Sequence, residues 1–179
     1  MSGRKNIWTI GHSTRSLDEF LSLLITWQIQ SIADIRRFPG SNRFPQYNKE
    51  VLANSLQKEG IQYFHLEALG GRRNPSPHSV NTAWRVRGFR GYADYMETYD
   101  FKKAVIELEH MAASSRCAYM CTEAVWWSCH RALLSDYLKA KGWQVMHIMS
   151  KEKVQEHPYT KAATVVNGEV RYTDSNTLF

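Results

Sequence analysis

A chain of 179 residues with 43% hydrophobic and 22% charged residues has the make-up of one globular domain, residues 1–179, able to bury about 70% of its unfolded surface. No apolar run approaches the roughly 18 residues of a membrane span, and residues 1–6 hold no apolar export core, so no membrane partner and a cytoplasmic location are expected. The formal charge of +6 is uneven: residues 36–49 carry Arg36, Arg37, Arg43 and Lys49 without an acid, and residues 66–91 carry Arg72, Arg73, Arg85, Arg87 and Arg90 against Glu67 alone, a pattern that suits a polyanion.

Residues 7–10 form a short β-rich run ending in Gly11, His12 and Ser13. Leu17, Phe20, Leu21, Leu24 and Ile25 then recur at helical spacing behind Ser16 and Glu19, a capping-box pair. A second strand is expected over residues 29–35, with Asp34 and Arg36 at its end and a loop holding Pro39 and Pro45 beyond it. Asn48 stands where it would cap a helix that Gly60 closes, and residues 61–66 read as a third strand. Residues 69–91 are irregular and rich in Gly, Pro, Asn and Arg; so long a loop inside a compact domain is usually functional or disordered, and Trp84 and Phe89 argue against plain disorder. Helical segments over 92–98 and 101–113 lead to a strand at Cys117. A helix over 131–138, a fifth strand over 143–148 and a hairpin turned by Asn167 and Gly168 complete the chain. The alternation implies an α/β fold, a mostly parallel open sheet with helices on both faces, plus a C-terminal β-hairpin.

In open α/β sheets ligands bind outside the carboxyl ends of the strands, and these ends carry the polar chemistry of the chain. Ser128 is the expected N-cap of the helix after the fourth strand. That places Cys129, His130 and Arg131 in its first turn, where unpaired N–H groups and the helix dipole favour an anion. Arg36 and Arg131 are the expected anion ligands, with Ser13, Arg43, Arg72, Cys121 and His130 also around the substrate. Glu123 is the expected acid/base group, with His12 as a further proton carrier. Cys129 is the rival nucleophile, since a thiol at a helix start beside an arginine ionises readily. Three cysteines, an odd number, suit reduced thiols better than a disulfide framework. A zinc site of Cys121, Cys129, His130 and His12 has the right ligand types, but adjacent residues on a helix diverge by about 100°, so neither a metal nor a cofactor is expected. Trp84, Phe89, Trp126 and Trp127 are the candidates for stacking on a base.

Thr9-Ile10-Gly11-His12-Ser13, Asp34-Ile35-Arg36, Pro45-Gln46-Tyr47-Asn48, Leu69-Gly70-Gly71-Arg72, Met120-Cys121-Thr122-Glu123 and Cys129-His130-Arg131 resemble, in order and over nearly the whole chain, the uncharacterised bacterial and archaeal family catalogued as domain of unknown function 488. The resemblance implies a family and no known activity. The residues point to an enzyme with a phosphate pocket, acting on a nucleotide or nucleic acid by acid/base chemistry. The alternative is a non-catalytic nucleic-acid-binding module. In both cases the partner is a phosphate-bearing small molecule or a nucleic acid.

Overall fold

The computed structural model describes Gly3 and residues 5–174. After β1 (Asn6–Gly11), the capping box forms as the sequence pattern places it. The Glu19 N–H donates to Ser16 Oγ at 3.1 Å, the Ser16 N–H donates to Glu19 Oε2 at 3.0 Å, and α1 (Leu17–Thr26) begins there. The second strand, β2 (Ser31–Asp34), is shorter than expected, because Gln28 sits at φ 56° and the Ile29 N–H turns back to the Leu24 carbonyl at 2.8 Å. Asn48 precedes α2 (Lys49–Lys58) without capping it; its side-chain oxygen instead accepts from the Ser41 N–H at 2.7 Å and folds the basic loop back on itself. β3 (Gln62–His65) follows, and α3 (Arg87–Tyr95) starts inside the stretch read as irregular. Thr98 caps α4 (Tyr99–Ser114), accepting from the Phe101 N–H at 3.3 Å. Then come β4 (Cys117–Cys121), α5 (Arg131–Ala140) and β5 (Gln144–Ile148). The strand β6 (Val154–Glu156) has no clear pattern in the sequence, whereas β7 (Thr164–Val166) and β8 (Glu169–Arg171) are the expected hairpin, with Asn167 and Gly168 both at positive φ.

The main sheet has the order β3-β2-β4-β1-β5-β6, parallel throughout except where β6 pairs with β5. From β1 to β3 the chain steps toward one edge, and from β3 to β5 it steps back. Right-handed crossovers therefore send the helices of the two runs to opposite faces. On one face Phe20 and Leu24 of α1 and Leu52 and Leu56 of α2 pack with Ile10 and Ile32; on the other Phe101 and Leu108 of α4 and Leu133 of α5 pack with Ile7 and Ala33. The neighbours β2 and β4 thus release their following segments to opposite faces, which opens a crevice at their carboxyl ends. Along β4 the side chains alternate, so that Cys117, Tyr119 and Cys121 join the core on the α5 face while Ala118 and Met120 join the other. No helix among the described residues is long and apolar enough to cross a membrane.

Candidate functional site

The helix after β4 starts later than the sequence suggests. Ser128 ends a short 3-10 turn, its hydroxyl donating to the Val125 carbonyl at 3.1 Å, and Cys129 is extended at φ −133° and ψ 153°. His130 is the residue before the first helical position, Arg131. The premise that Cys129 and His130 diverge around a helix therefore does not hold, because neither lies on the helix surface. With Cys121 facing α5, the three side chains converge. His130 Nδ1 is 3.6 Å from Cys129 Sγ and 3.9 Å from Cys121 Sγ, and the ligand atoms of all three lie within 4.8 Å of one another. His130 Nε2 lies 3.3 Å from the Ile35 carbonyl. A carbonyl only accepts, so Nε2 carries a proton, and Nδ1 faces the two sulfurs. Gly71 makes room for this ring, since a Cβ there would lie 2.9 Å from His130 Nδ1.

The first-turn N–H groups of α5 have partners within the chain. The Arg131 N–H points at Cys129 Sγ at 3.5 Å, the Ala132 N–H donates to the Cys129 carbonyl at 2.9 Å and the Leu133 N–H to the His130 carbonyl at 3.1 Å. Burial raises the Cys129 thiol, but the hydrogen bond from Cys121, then His130 and the Arg131 guanidinium, outweigh it and hold Cys129 well below its ordinary value. Cys121 moves the opposite way, raised by its bond to Cys129, by burial and by the charge on Cys129. Burial pushes Cys117, at the far end of β4, up to about 11. Within the pair these opposite shifts favour the proton on Cys121 and the thiolate on Cys129.

These groups form the floor of a cavity of about 360 Å³ lined further by Arg36, Arg37, Phe38, Gly71, Arg72, Phe89, Thr122 and Glu123. Both basic loops reach it, as their departure from strand ends suggests. The two arginines expected to hold an anion are both engaged within the chain. Arg36 is buried and bidentate on Asp34, with Nε to Oδ1 at 2.9 Å and Nη2 to Oδ2 at 2.7 Å, and Nη2 also donates to the Tyr47 carbonyl. Arg131 is fully buried and points the other way, donating to Thr9 Oγ1 at 3.1 Å and to the Glu123 and Ala124 carbonyls, so it does not line the cavity. It braces the Glu123 loop over the end of β1, where a Cβ on Gly11 would be driven into the Glu123 carbonyl. The cations at the rim are the exposed Arg72 and the part-buried Arg37, whose guanidinium carbons lie 5.8 and 5.5 Å from the centroid of the Phe38 ring. Phe38 is 60% exposed. In the sequence Arg37 stands out only as part of a basic loop, and neither Arg37 nor Phe38 is an expected site residue; an aromatic next to two arginines is the signal that would have found them.

Glu123 lines the cavity as an exposed carboxylate, while His12, Ser13 and Arg43 do not line it. His12 is buried, stacks on Tyr47 at 4.1 Å between centroids and donates from Nδ1 to the Ser13 carbonyl at 2.8 Å. Ser13 holds the loop through its own N–H, which donates to the Thr122 carbonyl at 2.8 Å, and Arg43 stacks on Phe44 at 5.2 Å. Burial is the main cause that lowers His12 from 6.5 to about 4. Between these values the unfolded chain takes up a proton that the folded chain refuses, so the stabilisation present above pH 6.5 is lost as pH falls toward 4. Urea melts at pH 7 and pH 4 are expected to differ by about 3 kcal/mol more in the wild type than in His12→Gln; equal differences would show that His12 does not titrate in this way.

Behind the site runs a buried polar chain. Arg131 donates to Thr9 Oγ1, so the Thr9 hydroxyl is free to donate to His147 Nδ1 at 2.7 Å; His147 Nε2 lies 2.9 Å from His157 Nδ1, and His157 Nε2 lies 2.8 Å from Asp136 Oδ1. Since Asp136 accepts, each imidazole donates from Nε2 and accepts at Nδ1. Trp126 stacks flat on His147 at 4.7 Å. Burial is the main cause that lowers His147 to about 2, so it remains neutral.

Residues 16–138, from the N-cap of α1 almost to the end of α5, match the family model described as Domain of unknown function DUF488. Neither the curated proteins nor the solved structures contain a match to the chain. The matched span holds the cavity floor, both basic loops and the Asp34–Arg36 pair, and the chain belongs to the DUF488 family.

Proposed function

We propose that the chain is an enzyme that holds a phosphate-bearing nucleotide or nucleic acid at the rim of this cavity, with Arg37 and Arg72 on the phosphate, Phe38 under a base and Glu123 as the acid/base group. The observation that carries the reading is the pair of guanidinium groups over one exposed aromatic ring, lining one cavity with two thiols and an imidazole. Cations neutralise phosphates while an aromatic face stacks on any base. Arg36 supports the rim through its ion pair with Asp34 and does not contribute a free charge. The exposed Arg43 guanidinium, over the part-buried Phe44 ring outside the cavity, extends the basic surface and favours a second reading, a module that binds nucleic acid without catalysis.

Fluorescence anisotropy with a labelled single-stranded oligonucleotide, titrated with salt, tests the rim. Arg37→Gln and Arg72→Gln are each expected to reduce the slope of log K against log salt by roughly one. Unchanged slopes would remove the polyanion role. In a screen of nucleotides and oligonucleotides for turnover, Glu123→Gln is expected to leave binding intact and lower the rate by about 10² to 10⁴-fold. Tight binding with no turnover in the wild type would leave the binding module.

A further inference from the structure

We propose that Cys121, Cys129 and His130 bind one divalent cation of the zinc class, with a fourth coordination position open to the cavity. Zinc takes thiolate sulfur at about 2.3 Å and imidazole nitrogen at about 2.0–2.1 Å in tetrahedral geometry. Two such ligands on one ion sit about 3.6 Å apart for a sulfur and a nitrogen and about 3.8 Å apart for two sulfurs. In the chain the sulfur-to-nitrogen separations are 3.6 and 3.9 Å, and the two sulfurs fall within the 4.8 Å span of the cluster. The donors are therefore already spaced for a common ion.

The surroundings fit the same role. His130 Nε2–H is held by the Ile35 carbonyl at 3.3 Å, which fixes the ring with Nδ1 toward the sulfurs, and the Arg131 N–H points at Cys129 Sγ at 3.5 Å. Such outer contacts orient ligands and set their basicity. Tyr92 walls the imidazole at 5.0 Å between centroids, and Gly71 supplies no side chain that would crowd Nδ1. On binding, each thiol that still carries a proton releases it to solvent, so two thiolates, a neutral imidazole and a dication sum to zero charge. A neutral centre suits a floor whose sulfurs are nearly fully buried. Soft sulfur with imidazole nitrogen selects zinc-like ions over magnesium or calcium. All three ligands line the cavity with Thr122 and Glu123, so the remaining position belongs to water or substrate. A two-cysteine, one-histidine set with an open position is one that catalytic zinc uses, and water held there becomes a nucleophile near neutral pH.

The inference stands without the nucleotide reading, because metal binding needs nothing at the rim. Cobalt(II) added to the full-length, reduced, chelator-stripped protein is expected to bind one per chain, with a thiolate-to-cobalt charge-transfer band and the visible bands of a tetrahedral ion, both displaced by zinc. Cys121→Ser and Cys129→Ser are each expected to weaken cobalt binding by at least about 100-fold, beyond the 10 to 100-fold that outer-contact changes cost. Cys117→Ala, and the rim variants Arg37→Gln and Arg72→Gln, are expected to leave the bands unchanged. Wild-type protein supplies a second measurement should the serine variants fail to fold: zinc is expected to protect Cys121 and Cys129 from alkylation. No charge-transfer band, a band that survives in both serine variants, or no protection by zinc would overturn the proposal.

Discussion

Asp136→Ala is expected to lower the unfolding free energy by about 3–5 kcal/mol, the cost of removing one partner from a buried, charge-assisted network. Asp136 is fully buried and its carboxylate accepts from His157 Nε2 at 2.8 Å, the Thr160 N–H at 2.9 Å, the Thr160 hydroxyl at 2.6 Å and the Tyr172 hydroxyl at 2.8 Å. Alanine leaves all of these donors in a dry site and also releases the tautomer of His157, on which the orientation of His147 and Thr9 depends. Tyr172→Phe removes a single donor and leaves the carboxylate satisfied, so it is expected to cost only about 1 kcal/mol. Urea melts of the two variants measure the contrast. If Asp136→Ala costs no more than Tyr172→Phe, the polar chain does not hold the fold together.

In the reduced, metal-free protein at pH 7, iodoacetamide is expected to label Cys129 at least about 10²-fold faster than Cys117. With its thiol pushed up to about 11, Cys117 is a thiolate only about one part in 10⁴ at that pH, and it is also fully buried. Cys129 holds its thiolate through Cys121 and His130, and it lines the cavity. The lower nucleophilicity that accompanies a lower pKa takes back part of this advantage. Cys129→Ser removes the hydrogen bond and charge that raise Cys121, so Cys121 is expected to become the faster-labelled thiol in that variant. Peptide mapping by mass spectrometry reads both results. Equal labelling of Cys117 and Cys129 in the wild type, or Cys121 labelled first there, would contradict the thiolate assignment.

The expected class and most of the elements are the observed ones because burial periodicity is local information. Ser16 and Glu19 start α1, Gly60 at φ 72° ends the turn after α2, and Asn167 with Gly168 turns the hairpin, each through contacts within a few residues. The start of α5 was misplaced for an equally local reason. Ser128 has the right side chain for a cap, but its hydroxyl is spent on Val125 in the preceding 3-10 turn, and two further residues pass before the helix begins. That shift moved Cys129 and His130 off the helix and reversed the geometric objection to their sharing a ligand.

The sequence alone determined the α/β class, the family, the hairpin and the strand ends at which polar chemistry collects, since spacing and turn residues report which positions are buried and where the chain reverses. Only the tertiary structure decided which cations face the cavity. Arg36 turns back to Asp34 and Arg131 runs into the interior toward Thr9, leaving Arg37 and Arg72 at the rim. It also decided that Cys121 and Cys129 meet, and that Thr9, His147, His157 and Asp136 form one chain of donors and acceptors. The physical reason is that a buried polar group must find a partner wherever the packed fold supplies one. For Thr9 that partner lies 138 positions away, at a separation no periodicity records.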